Sequence, residues 1–144
     1  MIQMINERLI FIRESLDMSQ RVLAEELNIS KSTLARWETG ESIIPLEHLV
    51  DLCNLSKRSL DYAFGLSNNR TNIDKPIKIN RSKLSKKLKQ LRVINNNSQS
   101  EIADYLHTSQ STVSQYENNV NLIQTAFLYQ LCVRYNYSAD ELLS

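Results

Sequence analysis

The chain has 144 residues, 42% of them hydrophobic, with 17 Lys and Arg against 16 Asp and Glu and only two Gly, two Pro and two Cys. So little turn chemistry excludes a sandwich or barrel of many short strands and leaves an all-α chain, and no apolar run approaches the roughly 18 residues that span a bilayer. Two cysteines cannot staple a secreted mini-protein and no charged-then-apolar leader is visible, so a cytoplasmic protein with no membrane role is expected.

In chain order, Ile5, Leu9, Ile12 and Leu16 follow i, i+4, i+7, i+11 and predict an amphipathic first helix. Ser19 is an N-cap before Val22, Leu23 and Leu27 in a short second helix. Asn28 stands where that helix must stop, because Asn tolerates the left-handed conformation of a tight turn. Ser30 then caps a third helix that points Leu34 and Trp37 inward and positions 31, 32, 33 and 36 outward. A fourth helix carries Leu46, Leu49, Val50 and Cys53, and a short fifth runs from Ser59 to Phe64, which closes a first domain at residues 1–66. Residues 67–80, SNNRTNIDKPIKIN, are polar, carry one Pro and show no helical period. They read as a linker whose fourteen residues, fully extended, reach at most about 46–50 Å.

The pattern then restarts. An offset of 79 residues without gaps lays Ser19 on Ser98, Gln20 on Gln99, Ala24 on Ala103, Ser30 on Ser109, Thr33 on Thr112, Glu38 on Glu117 and Cys53 on Cys132. Residues 81–144 are a second copy of one unit of about 60 residues, near the lower size at which a single core folds alone. Its first helix carries Leu84, Leu88 and Leu91, Ser98 with Glu101 makes a capping box, and His107 takes the place of Asn28. Ser109 caps the third helix, with Val113 and Tyr116 inward and positions 110, 111, 112 and 115 outward. Phe127, Leu128, Leu131 and Cys132 mark the fourth, and Ser138 with Glu141, read as another capping box, opens a fifth that ends at Leu143.

A short helix, a turn of three or four residues and a second helix with a polar outer face form a helix-turn-helix. The stretches SQRVLAEELNISKSTLARWETG and SQSEIADYLHTSQSTVSQYENN resemble the phage repressor/Cro-type, or xenobiotic-response-element, helix-turn-helix family. The resemblance implies two tandem five-helix lambda-repressor-like domains, a bacterial or phage-encoded origin, and sequence-specific binding of double-stranded DNA by a transcriptional repressor. It places Lys31, Ser32 and Arg36, then Gln110, Ser111 and Gln115, against the bases, with Thr33 and Thr112 at the groove wall, and Gln20 and Gln99 at phosphates. Arg8, Arg13 and Arg21 lie on or near the helices that would face DNA. The chemistry agrees: Lys and Arg donate to guanine O6/N7, Gln pairs with adenine, and Ser suits either. Two departures stand out: Gly is usual where Asn28 and His107 stand, and Gly40 becomes Asn119, so the second turn is expected to be strained or remodelled.

The near-neutral total hides an asymmetry. Residues 1–66 carry seven Lys/Arg against ten Asp/Glu, 67–80 three against one, and 81–144 seven against five. From Asn68 to Arg92, nine cations, Arg70, Lys83, Lys86 and Lys87 among them, face only Asp74. That run suits phosphate contact through Lys83, Lys86 and Lys87, and binding through it is salt-dependent. Two different recognition faces imply an operator with two unlike half-sites, about 34 Å apart if one helical turn separates them.

No enzyme, cofactor or metal site is expected. Cys53 and Cys132 sit on apolar stripes as structural cysteines, His48 and His107 are isolated, and no Cys/His spacing resembles a zinc site. Tyr129, Tyr135 and Tyr137 read as core and rim of the second unit, the alternative being a homodimer surface. The alternative for the whole chain is a protein-binding module, antitoxin-like or inhibitory, in which one or both units contact a regulatory protein partner.

Overall fold

The computed structural model describes residues 2–68 and 73–144, the former without the side chains of Ile2 and Gln3. The described residues form ten helices: α1 (Ile2–Ser15), α2 (Gln20–Glu26), α3 (Lys31–Thr39), α4 (Leu46–Ser56), α5 (Leu60–Ala63), α6 (Arg81–Ile94), α7 (Gln99–Leu106), α8 (Gln110–Glu117), α9 (Thr125–Tyr135) and α10 (Ala139–Leu143). They divide into two compact units, Met1–Ile77 and Lys78–Ser144, unit 1 and unit 2 below. The all-α, five-plus-five architecture is as expected.

Local chemistry starts each helix where the sequence suggested. Ser19, Ser30 and Ser59 in unit 1, and Ser98, Ser109 and Ser138 in unit 2, each accept a backbone N–H three residues on. At Ser98 the Glu101 carboxylate also accepts from the Ser98 N–H, which completes the capping box. Such a cap is worth about 1 kcal/mol because it satisfies an amide that the helix itself cannot.

In unit 1, α1 packs on α3 and α5, α2 on α3, and α4 on α5. The stripe Ile5, Leu9 and Ile12 is buried, as are Leu23, Leu34, Leu49, Leu52, Leu60 and Phe64. Unit 2 repeats the plan: α6 packs on α8 and α10, α7 on α8, and α9 on α10. Val22 lies outside this core. It is 36% exposed, and its counterpart Glu101 is exposed too, so this position of the second helix faces solvent in both copies.

The segment read as linker is partly held. Asn54, on α4, donates from Nδ2 to the Ile77 carbonyl at 3.0 Å and accepts the Ile77 N–H at 2.7 Å, while the Ile73 N–H reaches the Lys57 carbonyl at 3.0 Å. A single asparagine amide thus mimics a backbone strand and ties Ile77 to unit 1. The extended reach reckoned for fourteen free residues overstates what remains while these bonds hold. Arg70, part of the cationic run, lies outside the described residues.

Candidate nucleic-acid interface

The two helix-turn-helix segments are built from the same local geometry. After α2, Asn28 adopts the left-handed conformation (φ 56°), and after α7 His107 does so (φ 57°). The chain then folds back, with the Ile29 N–H on Ala24 O at 3.0 Å and the Thr108 N–H on Ala103 O at 2.9 Å. Ala24 and Ala103 are buried at this corner. The expected remodelling of the second turn is therefore not seen: His107 takes the conformation of Asn28.

The same holds after the third helix. Gly40 (φ 85°) and Asn119 (φ 57°) are both left-handed. A Cβ on Gly40 would overlap the Asn6 side-chain amide. In unit 2 the residue equivalent to Asn6 is the shorter Ser85, likewise buried, whose hydroxyl turns back onto Arg81 O at 2.7 Å. The smaller partner leaves room for the Asn119 Cβ.

Behind the third helix of each unit sits a polar network that draws in Gln20 and Gln99, expected at phosphates, and a glutamate outside the sequence-based site. Arg13 donates from Nε and Nη2 to both carboxylate oxygens of Glu38 at 2.8 and 3.1 Å, and from Nη1 to Met18 O at 3.0 Å. Arg92 does the same to Glu117 at 2.7 and 2.9 Å and to Asn97 O at 3.0 Å. Gln20 and Gln99 each add an Nε2 donor to the same carboxylate at 3.1 Å. The Glu38 and Glu117 side chains are 4% exposed. The hydrogen bond to the partner carboxylate raises the guanidinium pKa of Arg13 and Arg92, against the opposing effect of burial. Arg13, expected near DNA, and Arg92, counted in the cationic run, instead clamp the first helix to the third. Both ion pairs obey the offset of 79, which was the one signal that could have marked them.

On the outer face, Lys31, Ser32 and Arg36 are exposed and Thr33 is half-buried; Gln110 and Ser111 are exposed, and Thr112 and Gln115 half-buried. The Thr33 and Thr112 hydroxyls lie 2.8 and 2.9 Å from the capping hydroxyls of Ser30 and Ser109. Arg21 is exposed and loosely paired with Glu25 at 3.7 Å. Arg8 stacks over the Tyr62 ring at 4.4 Å and bonds Asn68 at 3.2 Å. On α6, Lys83 and Lys86 are exposed, whereas Lys87, at the position of Arg8, donates to Glu141 O at 2.7 Å. The structure thus gathers the expected base-facing residues on the third helix of each unit; Lys87 is drawn toward α10.

The remaining candidates are structural. Cys53 and Cys132 are buried thiols outside any disulfide, and the His48 ring lies tilted against Trp37 with centroids 5.3 Å apart, as Phe127 does against Tyr116 at 6.3 Å. Tyr129 is buried and Tyr135 donates to Asn97 Oδ1 at 2.9 Å. Among the described residues no helix is long and apolar enough to cross a membrane, and no group of three or more His, Cys, Asp or Glu side chains could hold a metal ion.

The sequence profile of a family described as helix-turn-helix matches residues 9–62 and again 88–142, about three quarters of the chain. Neither the curated proteins nor the solved structures yield a match. With both copies matched over their caps, turns and third helices, the chain belongs to the Cro/C1-type helix-turn-helix family of DNA-binding regulators, carrying its domain twice in tandem.

Proposed function

We propose that the chain is a transcriptional repressor that reads the major groove with α3 and α8. One observation carries this: the same helix face is solvent-exposed in both units, at the same offset, over the same buried clamp, yet bears different side chains. A face kept polar and open above a rigid support is what base reading requires. Lys31, Ser32 and Arg36 meet one half-site and Gln110, Ser111 and Gln115 the other, so the operator is asymmetric. Arg21, Thr33 and Thr112, the second amide N–H of Gln20 and Gln99, and the exposed lysines Lys83 and Lys86 supply phosphate contacts that set orientation and salt dependence.

The test is titration of the full chain on duplexes from the upstream region of its own gene, at fixed salt. Arg36→Ala and Gln110→Ala should each weaken specific binding by about 1–3 kcal/mol and relax the preference at one base pair. Lys83→Ala should weaken all duplexes alike and lower the salt slope by about one. Unchanged affinity in both recognition-helix variants would sink direct readout.

A second reading is favoured by a feature of unit 2. Its outer face carries no charge among Gln110, Ser111, Thr112 and Gln115, and beside it Val120 is 61% exposed. Such a surface suits a protein partner, and this reading predicts that Arg36→Ala weakens DNA binding while Gln110→Ala does not.

A further inference from the structure

The two recognition faces differ in how their outer side chains are held. In unit 2, Ser100 Oγ donates to Gln110 Oε1 at 3.1 Å, and Asn121 Nδ2 donates to Gln115 Oε1 at 2.9 Å. Asn121 is anchored at the same place, since the N–H groups of Val120 and Asn121 both reach the Gln115 carbonyl, at 2.9 and 3.4 Å. Unit 1 keeps the backbone part of this arrangement, with the Ser42 N–H on Arg36 O at 3.2 Å. It cannot keep the side-chain part, because a guanidinium has no acceptor to offer. The equivalent of the Ser100–Gln110 pair is Arg21 and Lys31, two cations, and Arg21 turns to Glu25 at 3.7 Å. On its third helix unit 1 therefore presents the exposed cations Lys31 and Arg36, and unit 2 presents amides whose carbonyl oxygen is already engaged.

A glutamine amide is two-faced. With its NH2 outward it matches acceptors, two on guanine (N7 and O6) and one on thymine (O4) or on adenine (N7, beside the N6 amino group); with its carbonyl outward it matches the amino groups of adenine or cytosine. An untethered glutamine offers both rolls. We infer that Asn121 and Ser100 are positioning residues that fix the amide roll of Gln115 and Gln110, so that unit 2 donates to acceptor-bearing base edges instead of making the adenine pair expected of a free glutamine. This rests on the DNA-reading role proposed above.

The experiment uses the full chain. Binding sites are selected from randomised duplexes, the base pair sensitive to Gln115→Ala is located, and affinity is measured with each of the four bases there. The chain should prefer guanine or thymine over adenine by about fivefold or more, and the four-base comparison separates those two. Asn121→Ala should flatten that ratio while leaving the melting temperature and the salt slope unchanged. Asn121→Ser, which can still donate, should retain it. Asn121→Asp can only accept, so it should draw Nε2 inward, turn Oε1 outward and reverse the ratio toward adenine or cytosine. Its added negative charge lowers affinity for all four duplexes alike and cancels in the ratio. Ser100→Ala should flatten the preference at the position sensitive to Gln110→Ala. An adenine preference in the unaltered chain, or a ratio that Asn121→Asp leaves unmoved, overturns the positioning role while base reading stands. Selection of no sequence at all, or no position sensitive to either glutamine, overturns base reading and this inference together.

Discussion

Units 1 and 2 share a frame and differ in what fills and covers it. The Arg–Glu–Gln clamp, the serine caps and the left-handed corner residues recur at one offset. The cores do not match so closely. Among the described residues unit 1 buries Tyr62, Phe64 and nine Leu and Ile side chains almost completely, whereas unit 2 does so with Leu128, Leu142 and Leu143. Unit 2 also has a small, partly open pocket of about 20 Å³ lined by Leu88, Val113, Tyr116 and Leu131, among others, where unit 1 has the bulkier Leu34 and Trp37 at the positions of Val113 and Tyr116. Missing contact atoms lower dispersion energy, so unit 2 is expected to open first on heating. A polar network with directional bonds tolerates little change, whereas apolar packing and surface charge can drift apart and still fold.

The largest effect expected of a single substitution tests whether the two clamps are equivalent. Arg13→Met and Arg92→Met each leave a nearly buried carboxylate without its partner, at a cost of about 3 kcal/mol to the unit concerned. Urea unfolding, with hydrogen exchange to assign each transition to its unit, checks this. A loss under half that size in either variant would mean that the clamp does not support that unit.

Smaller effects are expected at the corner after the third helix. Gly40→Ala should destabilise unit 1 by about 2 kcal/mol, from the left-handed backbone and the overlap with Asn6. Asn119→Gly should change unit 2 by no more than about 0.5 kcal/mol. If Ser85 is what admits Asn119, then Asn6→Ser should restore part of the stability lost in Gly40→Asn, as measured by the same unfolding assay.

The smallest effect separates the units by pH. Burial raises the phenol pKa of Tyr116 and of Tyr135 above the ordinary 10.0, although a hydrogen bond with the Gln124 backbone opposes the shift at Tyr116 and Arg134 opposes it at Tyr135. From about pH 10 upward the unfolded chain loses these protons while the folded unit retains them. The folded state then binds more protons, so stability falls as pH rises through that window. Unit 1 has Trp37 and Ser56 at the equivalent places, and neither titrates there. Tyr116→Phe and Tyr135→Phe should together flatten the alkaline loss in unit 2, as followed by chemical denaturation at pH 9 and pH 11.

The sequence by itself determined what depends on neighbours a few residues away. The serine caps, the capping box at Ser98, the stops at Asn28 and His107 and the buried stripes of α1 and α6 are all local patterns, and the repeat made each visible twice. Only the tertiary structure decided which polar side chains belong to the frame and which to the surface. Arg13 and Arg36 look alike in sequence, yet one lies against a carboxylate 25 residues away and the other faces solvent. Lys87, Asn54 and Asn121 likewise acquired their roles from partners brought close by folding. A long polar side chain carries no mark of its partner, because its preference for burial is set by a charge or hydrogen bond that exists only once the helices have packed.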